Sequence, residues 1–164
     1  MPQLEPRGAI PYPRPVTDPV QALPQPPPAR HVLTILAVRD LARSTAFYRA
    51  AFGWPARVET PVYVELELPD GRGLGLYVRE GYARNTGEMP VAVPEGAITG
   101  TELYFHVDDV ADAVQRLVAA GARQLSPVGP RDWGDVAAYL ADLDGNVIVV
   151  ARPVAPPSNK QSPA

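Results

Sequence analysis

Along the middle of the chain, hydrophobic residues first have the spacing of a β-strand and then recur with the period of an α-helix. Between His31 and Val38 both faces of a strand would be apolar, and after Asp40 apolar side chains recur on one helical face as far as Phe52. Asp40 is placed to cap that helix and Gly53 to end it. Five elements are predicted in this passage: strand 31–38, helix 41–52, a short strand near 55–58, and alternating strands at 61–68 and 74–79.

The same order of elements returns in a second passage, 69 positions further along. Val38-Arg39-Asp40-Leu41-Ala42 opens the first helix, and Val107-Asp108-Asp109-Val110-Ala111 opens the second. In each passage an Asp-Gly turn, at 70–71 or at 144–145, joins the last two strands. An internal repeat of this kind indicates two copies of one supersecondary unit that share a core. The second copy predicts strand 101–107, helix 110–120, a short strand 123–127, and strands 136–141 and 146–152.

Proline marks the two ends of the chain. There are 21 prolines, and ten of them lie between Pro2 and Pro28. Because proline removes a backbone donor and fixes φ, residues 1–30 are expected to form an extended or disordered arm, either solvated or lying across the domain or a second subunit. The expected divisions are a folded part at 31–153, with modules of about 31–80 and 101–153, a linker or pocket lip at 81–100, and a flexible tail at 154–164.

Composition argues against several classes of protein. The chain has no cysteine, which rules out disulfides and thiolate metal sites, and its formal charge of −3 without a basic run gives no sign of nucleic-acid binding. No apolar stretch is long enough to cross a bilayer and no secretory leader is visible, so a cytoplasmic protein without membrane contact is expected. The sequence also lacks a phosphate-binding glycine loop, a dinucleotide fingerprint and a nucleophile elbow.

Five segments carry a family resemblance: Leu36–Tyr48, Phe105–Val110, Ala119–Ala122, Trp133–Gly134 and Asp142–Asn146. In order and spacing they resemble the vicinal oxygen chelate superfamily, which includes glyoxalase I, extradiol dioxygenases, and the fosfomycin- and bleomycin-resistance proteins. The resemblance implies an α+β fold of two βαβββ modules, the glyoxalase/bleomycin resistance fold. It further implies that the sheets form an open, barrel-like cleft around a ligand, usually in a homodimer.

The resemblance also implies where a metal would be held. In the metal-dependent members each module supplies two ligands, one from its first strand, seven residues before the Asp that opens the helix, and one from its last strand. The corresponding positions here are Leu33, Gly75, Glu102 and Val149. Three of these side chains offer no lone pair, whereas such a divalent ion requires several N or O ligands. We therefore expect no metal and no cofactor, and the remaining alternative is a relocated site of His31, Glu102 and His106.

Strand alternation indicates which side chains face the cleft. Glu102, Tyr104 and His106 share one face of their strand, within a mostly apolar surface of the kind that binds small molecules. Glu102 is a candidate acid/base or ligand anchor, or else it forms a structural ion pair with Arg79. His106 is a candidate to assist catalysis, or else it caps the strand end. The candidate ligand-binding residues are Leu33, Ile35, Gly75, Tyr77, Arg79, Glu102, Tyr104, Trp133 and Val149.

The leading functional hypothesis is a metal-free, homodimeric binding protein of the bleomycin-resistance type. It would sequester a small planar or aromatic molecule, such as an antibiotic or a toxic metabolite. The alternative is a lyase, isomerase or dioxygenase-like enzyme of the same fold that uses Glu102 as acid/base or a relocated metal. A scaffold module recruited through the proline-rich arm is a further hypothesis.

Overall fold

The computed structural model describes residues 27–154, so nearly all of the tail expected at 154–164 and of the arm expected at 1–30 lies outside the described residues. The first module contains β1 (Leu33–Val38), α1 (Leu41–Phe52), β2 (Ala56–Glu59), β3 (Tyr63–Glu67) and β4 (Gly73–Val78), and is followed by α2 (Arg79–Thr86). The second contains β5 (Glu102–His106), α3 (Val110–Ala120), β6 (Arg123–Pro130), β7 (Asp135–Ala141) and β8 (Val147–Pro153).

Helices α1 and α3 begin and end where their sequences predict. The carboxylates of Asp40 and Asp109 each accept a hydrogen bond, at 3.0 Å, from the backbone N–H three residues further on. Each satisfies a donor that has no partner within its helix. Gly53 and Gly121 end the two helices with φ of 73° and 113°, a conformation that costs glycine least.

The strands form two four-stranded sheets of identical topology. Their orders are β1-β4-β3-β2 and β5-β8-β7-β6. In each sheet the first strand of the module runs parallel to the last, and the remaining neighbours are antiparallel. The predicted α+β fold of two βαβββ modules with open sheets is confirmed.

One hydrophobic core joins the two modules. Helices α1 and α3 pack on each other, and each also packs on its own sheet. The core takes one face of each sheet, represented by Leu66 and Leu76 in the first and by Leu140 and Ile148 in the second, all with 0% exposure. The opposite face of each sheet is therefore turned away from the core, and those predicted cleft residues that belong to strands lie on these two faces.

A network of buried hydrogen bonds connects α1 to the β7–β8 turn. Tyr48 donates to Asp142 at 2.7 Å, and Ser44 donates to Asp144 at 2.9 Å. Asp142 also accepts from the backbone and the side chain of Asn146, at 2.8 and 2.9 Å. Because nearly every buried polar group here has a partner, the network holds the two modules in one relative position.

The structure differs from the sequence prediction after β4. Arg79 does not continue that strand but begins α2, which occupies part of the expected linker. Helix α2 has no apolar period that would reveal it. Its position depends on packing against β1 and β4, and a Cβ on Gly81 would lie only 2.3 Å from the Tyr77 ring at the end of β4. Only glycine lets the helix approach that ring so closely.

None of the helices formed by residues 27–154 has the length and apolar character needed to span a bilayer.

Candidate functional site

Strand β5 presents three predicted site residues on the face turned away from the core. Glu102, Tyr104 and His106 are exposed, whereas Leu103 and Phe105 between them pack against the core. Alternation along the strand predicts this arrangement, because successive side chains point to opposite sides of a sheet.

The neighbouring strands supply an apolar floor beside these residues. Tyr104 lies opposite Val149, and Val149 lies opposite Tyr139 on the next strand. Val149 and Ala151 are fully buried, and Val147 is 7% exposed. On this face of the C-terminal sheet these side chains form a second, smaller apolar cluster, against which Tyr139 and Leu125 pack.

Two hydrogen bonds and one close contact bring three of the predicted residues together near Asp135. Nε1 of Trp133 donates to the Tyr104 hydroxyl at 3.0 Å, and that hydroxyl donates to a carboxylate oxygen of Asp135. The same oxygen lies 3.7 Å from Nε2 of His106. The indole of Trp133 is thus oriented by a hydrogen bond although the residue is 54% exposed.

A pocket of about 520 Å³ opens on this face of the sheet. Its lining includes Glu102, Arg131, Trp133, Tyr139 and Val147. The guanidinium of Arg131 lies over the Tyr139 ring, 5.0 Å from its centroid. Arg131 also donates to the Ser126 hydroxyl at 2.6 Å, which ties β6 to the loop that carries Trp133.

The tyrosines of this surface remain protonated hydrogen-bond donors at neutral pH. Burial raises the pKa of Tyr104, and the hydrogen bond to Asp135 raises it further. Burial and the negative charge of Glu102 raise the pKa of Tyr139, although Arg131 acts in the opposite direction. The site therefore combines aromatic faces and phenol donors with the guanidinium of Arg131 and the carboxylates of Glu102, Asp132 and Asp135.

The corresponding face of the N-terminal sheet is covered by its own side chains. A Cβ on Gly75 would lie 2.7 Å from the Tyr63 hydroxyl, so the tyrosine rests on the glycine backbone. Tyr63 donates to Glu65 at 2.5 Å, and Arg57 lies 2.5 Å from the other oxygen of that carboxylate. These bonds lower the pKa of Glu65, with the tyrosine contact as the largest cause, and burial raises that of Tyr63.

The predicted site residues therefore do not form one site; they lie in separate parts of the folded structure. Leu33, Ile35, Gly75 and Tyr77 belong to strands of the N-terminal sheet, and Ile35 is 40% exposed there. Arg79 lines a different cavity from Glu102, and the ion pair considered between them is not formed. Instead, Nη2 of Arg79 donates to the carbonyl of Pro90.

The donor set does not fit the metal that the family resemblance implies. Leu33, Gly75 and Val149 provide no ligand atom. Among residues 27–154, no three of the His, Asp and Glu side chains converge closely enough to hold an ion. A relocated site of His31, Glu102 and His106 is therefore not assembled in the described chain, where His31 instead bonds to Thr34 at 3.1 Å.

Three residues of the site are absent from the sequence-predicted set: Arg131, Asp135 and Tyr139. Tyr139 could have been found, since it alternates with the buried Ala138 and Leu140 along β7. Arg131 and Asp135 carry no such signal, because their roles depend on how the β6–β7 connection folds over the sheet.

Comparison with known proteins identifies the family. The sequence profile described as "Glyoxalase/Bleomycin resistance protein/Dioxygenase superfamily" matches residues 29–150. No curated protein matches the chain.

Solved structures of the same family resemble the whole folded part. A glyoxalase-related enzyme from Fulvimarina pelagi is 25% identical with a TM-score of 0.67, over 75% of this chain and 87% of that one. A glyoxalase/bleomycin resistance protein/dioxygenase from Nocardioides is 20% identical with a TM-score of 0.67, over 85% and 92%. A lactoylglutathione lyase from Agrobacterium tumefaciens is 24% identical with a TM-score of 0.59, over 77% and 95%. At 20% and 24% identity, the last two likenesses show the fold alone.

Proposed function

This chain belongs to the glyoxalase/bleomycin resistance protein/dioxygenase superfamily, and we propose that it is a small-molecule-binding member that works without the metal of the metal-dependent branches. The proposed ligand is a small planar aromatic molecule held against the C-terminal sheet. Sequestration of an antibiotic or a toxic metabolite is the biological role that such binding would serve.

The observation that carries the proposal is the aromatic pocket of the C-terminal sheet. Trp133 and Tyr139 border a pocket of about 520 Å³, with Val147 in its floor. The Trp133 indole is oriented by its bond to Tyr104, so stacking on it costs less conformational entropy than stacking on a free side chain. Each aromatic contact of this kind adds about 0.5–1.5 kcal/mol beyond the burial of apolar area.

The pocket lining carries two carboxylates, of Glu102 and Asp132, and one guanidinium, of Arg131, so negative charge is in excess. The side chain of Glu102 is exposed in the lining and makes no ion pair with any residue of the described chain. An aromatic ligand that carries a positive charge can approach this carboxylate while its ring lies against Trp133. We therefore propose a planar aromatic cation as the preferred ligand.

A binding role without a metal follows from the donor chemistry. Of the four positions that hold metal in the metal-dependent relatives, only Glu102 bears a ligand atom here. One carboxylate is too few donors for a divalent ion of this class. Glu102 is therefore free to act as a ligand anchor.

The proposal includes a homodimer. In one chain the outward faces of the two sheets are not joined, and β1 and β5 are edge strands. Unpaired edges are available to pair with another chain. In the proposed dimer the N-terminal sheet of one copy lies beside the C-terminal sheet of the other. The outward faces of these two sheets would then form the walls of one cleft. Sedimentation velocity tests this, and a monomer at the concentrations of the binding experiment would overturn it.

Titration with 9-aminoacridine, a planar aromatic cation, tests the binding proposal. We expect saturable binding that Trp133→Ala weakens by about tenfold, equal to about 1.4 kcal/mol. Val128→Ala removes another exposed apolar side chain, on the same β6–β7 hairpin but outside the pocket lining, and should leave the affinity unchanged. The proposal fails if the dye does not bind, or if it binds equally to the Trp133→Ala protein.

A second titration separates the charge preference from the stacking. Acridine has nearly the same ring system but is mostly neutral at pH 8. Glu102→Gln should weaken binding of the cationic dye and leave that of neutral acridine unchanged. Equal losses for both dyes would show that Glu102 does not act through its charge.

Enzymatic activity is a second candidate function, favoured by one observation. The Asp135 carboxylate lies between the Tyr104 hydroxyl and Nε2 of His106, at 3.7 Å from the latter. This separation is longer than a hydrogen bond. It nevertheless places a carboxylate close to an imidazole, a pair of groups that is common in proton transfer. With Glu102 on the same strand, the face carries a carboxylate and an imidazole able to move protons.

Mass spectrometry of a bound ligand after incubation distinguishes binding from conversion. Conversion that is lost in Glu102→Gln or His106→Gln would support the enzyme. Recovery of unchanged ligand at full occupancy supports the binding protein instead.

A further inference from the structure

A second cavity, of about 200 Å³, lies outside the aromatic pocket. It is enclosed by β1, α2 and the extended segment at 90–93, and it reaches the start of β5 and the β7–β8 turn. The residues that define it are Ala37, Arg39, Arg79, Tyr82, Thr101 and Asn146. None of these six lines the pocket formed by Glu102 and Trp133.

Arg79 is the unusual residue of this cavity. It is half-buried, and its Nε atom is shielded from solvent without a hydrogen-bond partner. Its Nη2 atom donates to the carbonyl of Pro90, a neutral acceptor. No carboxylate of the described chain lies within ion-pair distance of this guanidinium.

A partly buried guanidinium without a counter-charge destabilises the folded chain. A guanidinium presents five N–H donors and carries its charge at any physiological pH. Withdrawing that charge from water is unfavourable unless an anion or several acceptors compensate. Arg79 therefore lacks a counter-charge in the part of the chain that the structure describes.

The second arginine of the cavity has its counter-charge already. Nε of Arg39 lies 3.5 Å from Asp144, and its Nη2 atom donates to the Leu143 carbonyl at 3.1 Å. With Arg39 and Asp144 balancing each other, the charge of Arg79 is left over. The cavity is thus cationic by one unit, and hydroxyl groups of Tyr82 and Thr101 stand in its lining.

We propose that this cavity binds a small oxyanion, a carboxylate or phosphate group, through Arg79. The forked guanidinium matches the geometry of two oxygens on one such group. A volume of about 200 Å³ admits a single group of this kind and excludes a drug-sized molecule. The site is separate from the aromatic pocket and does not depend on the binding function proposed for it.

Calorimetric titration with sodium phosphate and with sodium acetate, at constant ionic strength in chloride buffer, tests the site. We expect saturable binding of at least one anion, weakened by about tenfold or more in Arg79→Gln. Arg84→Gln is the matched control, because Arg84 lies exposed on the same helix and its replacement makes the same change in charge. The affinity of the Arg84→Gln protein for the anion should stay within about twofold of that of the unsubstituted protein.

The two anions distinguish the geometry that the site prefers. Binding of acetate alone indicates planar carboxylate recognition, and binding of phosphate alone indicates a tetrahedral ligand; both outcomes support the site. Failure of both anions to bind the unsubstituted protein overturns it. Equal losses in Arg79→Gln and Arg84→Gln also overturn it, because they would reflect surface charge alone.

A measurement on the unsubstituted chain covers the case in which Arg79→Gln does not fold. The Nε–H resonance of Arg79 can be assigned in nitrogen-15 NMR spectra by its loss in Arg79→Lys. We expect this resonance to move saturably as phosphate or acetate is added. A resonance that stays in place through both titrations contradicts the proposal.

Discussion

Arg57 in β2 and Arg131, which directly follows β6, each contact the residue eight positions further along the chain, on the next strand of their module. Arg57 makes an ion pair with Glu65 at 2.5 Å, whereas Arg131 lies 5.0 Å from the ring centroid of Tyr139. Glu65 and Tyr139 occupy equivalent places, because Glu65 lies opposite Gly75 and Tyr139 lies opposite Val149 on the last strand of each module. The two modules thus have the same strand order but differ on the outward faces of their sheets. Side chains cover this face in the first module, whereas a pocket opens on it in the second.

Replacing Arg131 should destabilise the second module. Its guanidinium lies over Tyr139 and donates to Ser126 and to the Ala137 carbonyl, at 2.6 and 3.0 Å. Loss of these bonds in Arg131→Met should lower the free energy of unfolding by about 1–3 kcal/mol, as measured by urea denaturation. Arg116→Met removes only an exposed pair with Asp112 and should cost less than about 0.5 kcal/mol. Equal costs for the two variants would contradict the role given to Arg131.

An added methyl group at Gly75 should disturb the first module. A Cβ there would lie 2.7 Å from the Tyr63 hydroxyl and 3.0 Å from Ile35, so Tyr63 must move. We expect Gly75→Ala to lower the free energy of unfolding by about 1–3 kcal/mol. Gly129→Ala is the control, because its Cβ would meet nothing within 4 Å. Thermal denaturation of both proteins checks the difference, and a stable Gly75→Ala chain would show that Tyr63 is not held in place.

The network between the modules should be sensitive to loss of one hydroxyl. Tyr48 is fully buried and donates to Asp142 at 2.7 Å. Tyr48→Phe leaves that buried carboxylate one donor short, and we expect it to cost about 1–3 kcal/mol of stability. Tyr77→Phe, a change of the same kind on a half-buried tyrosine, is the comparison. Urea denaturation of both variants measures the costs, and an unaffected Tyr48→Phe chain would show that the bond contributes nothing net.

Asp142 should also make stability depend on pH. Burial raises the pKa of this carboxyl above its ordinary value of about 3.9. Between the ordinary and the raised pKa the folded chain binds more protons than the unfolded chain, so stability falls as pH rises through that interval. Asp142→Asn lacks this titration. The free energy of unfolding of the natural chain, relative to Asp142→Asn, should therefore decrease over the interval and then level off.

Urea denaturation at a series of pH values gives that difference directly. A difference that increases with pH would mean that the hydrogen bonds from Tyr48 and Asn146 outweigh burial and lower the pKa instead.

The phenol of Tyr104 should ionise at a higher pH than an ordinary tyrosine. Burial raises its pKa, and its bond to Asp135 raises it further. In Asp135→Asn the pKa of Tyr104 should fall toward its ordinary value without reaching it, since the contribution of burial remains. NMR titration with tyrosine labelled at the ring carbon that bears the hydroxyl measures both values, and Tyr104→Phe assigns the resonance. An unchanged pKa in Asp135→Asn would exclude the carboxylate as a cause.

Much of the fold was predictable from local pattern. The bounds of α1 and α3 follow from an aspartate at one end and a glycine at the other, since each residue satisfies a requirement of the helix terminus itself. The strands follow from period-two alternation, which places Glu102, Tyr104 and His106 on one face without knowledge of the rest. Helix α2 was not predictable in this way, because no side chain caps its start and its place depends on packing against β1 and β4.

The same distinction between local pattern and tertiary packing applies to the candidate site. From the sequence alone follow the two modules and the lack of donor atoms at Leu33, Gly75 and Val149, because both depend on residue type and spacing. Only the tertiary structure decides that Arg79 and Glu102 line different cavities, and that Asp135 accepts from Tyr104 and lies 3.7 Å from His106. The physical reason is distance: period and capping act over a few residues, whereas a pocket is made by side chains that meet only after the sheets, the helices and the connecting loops have packed.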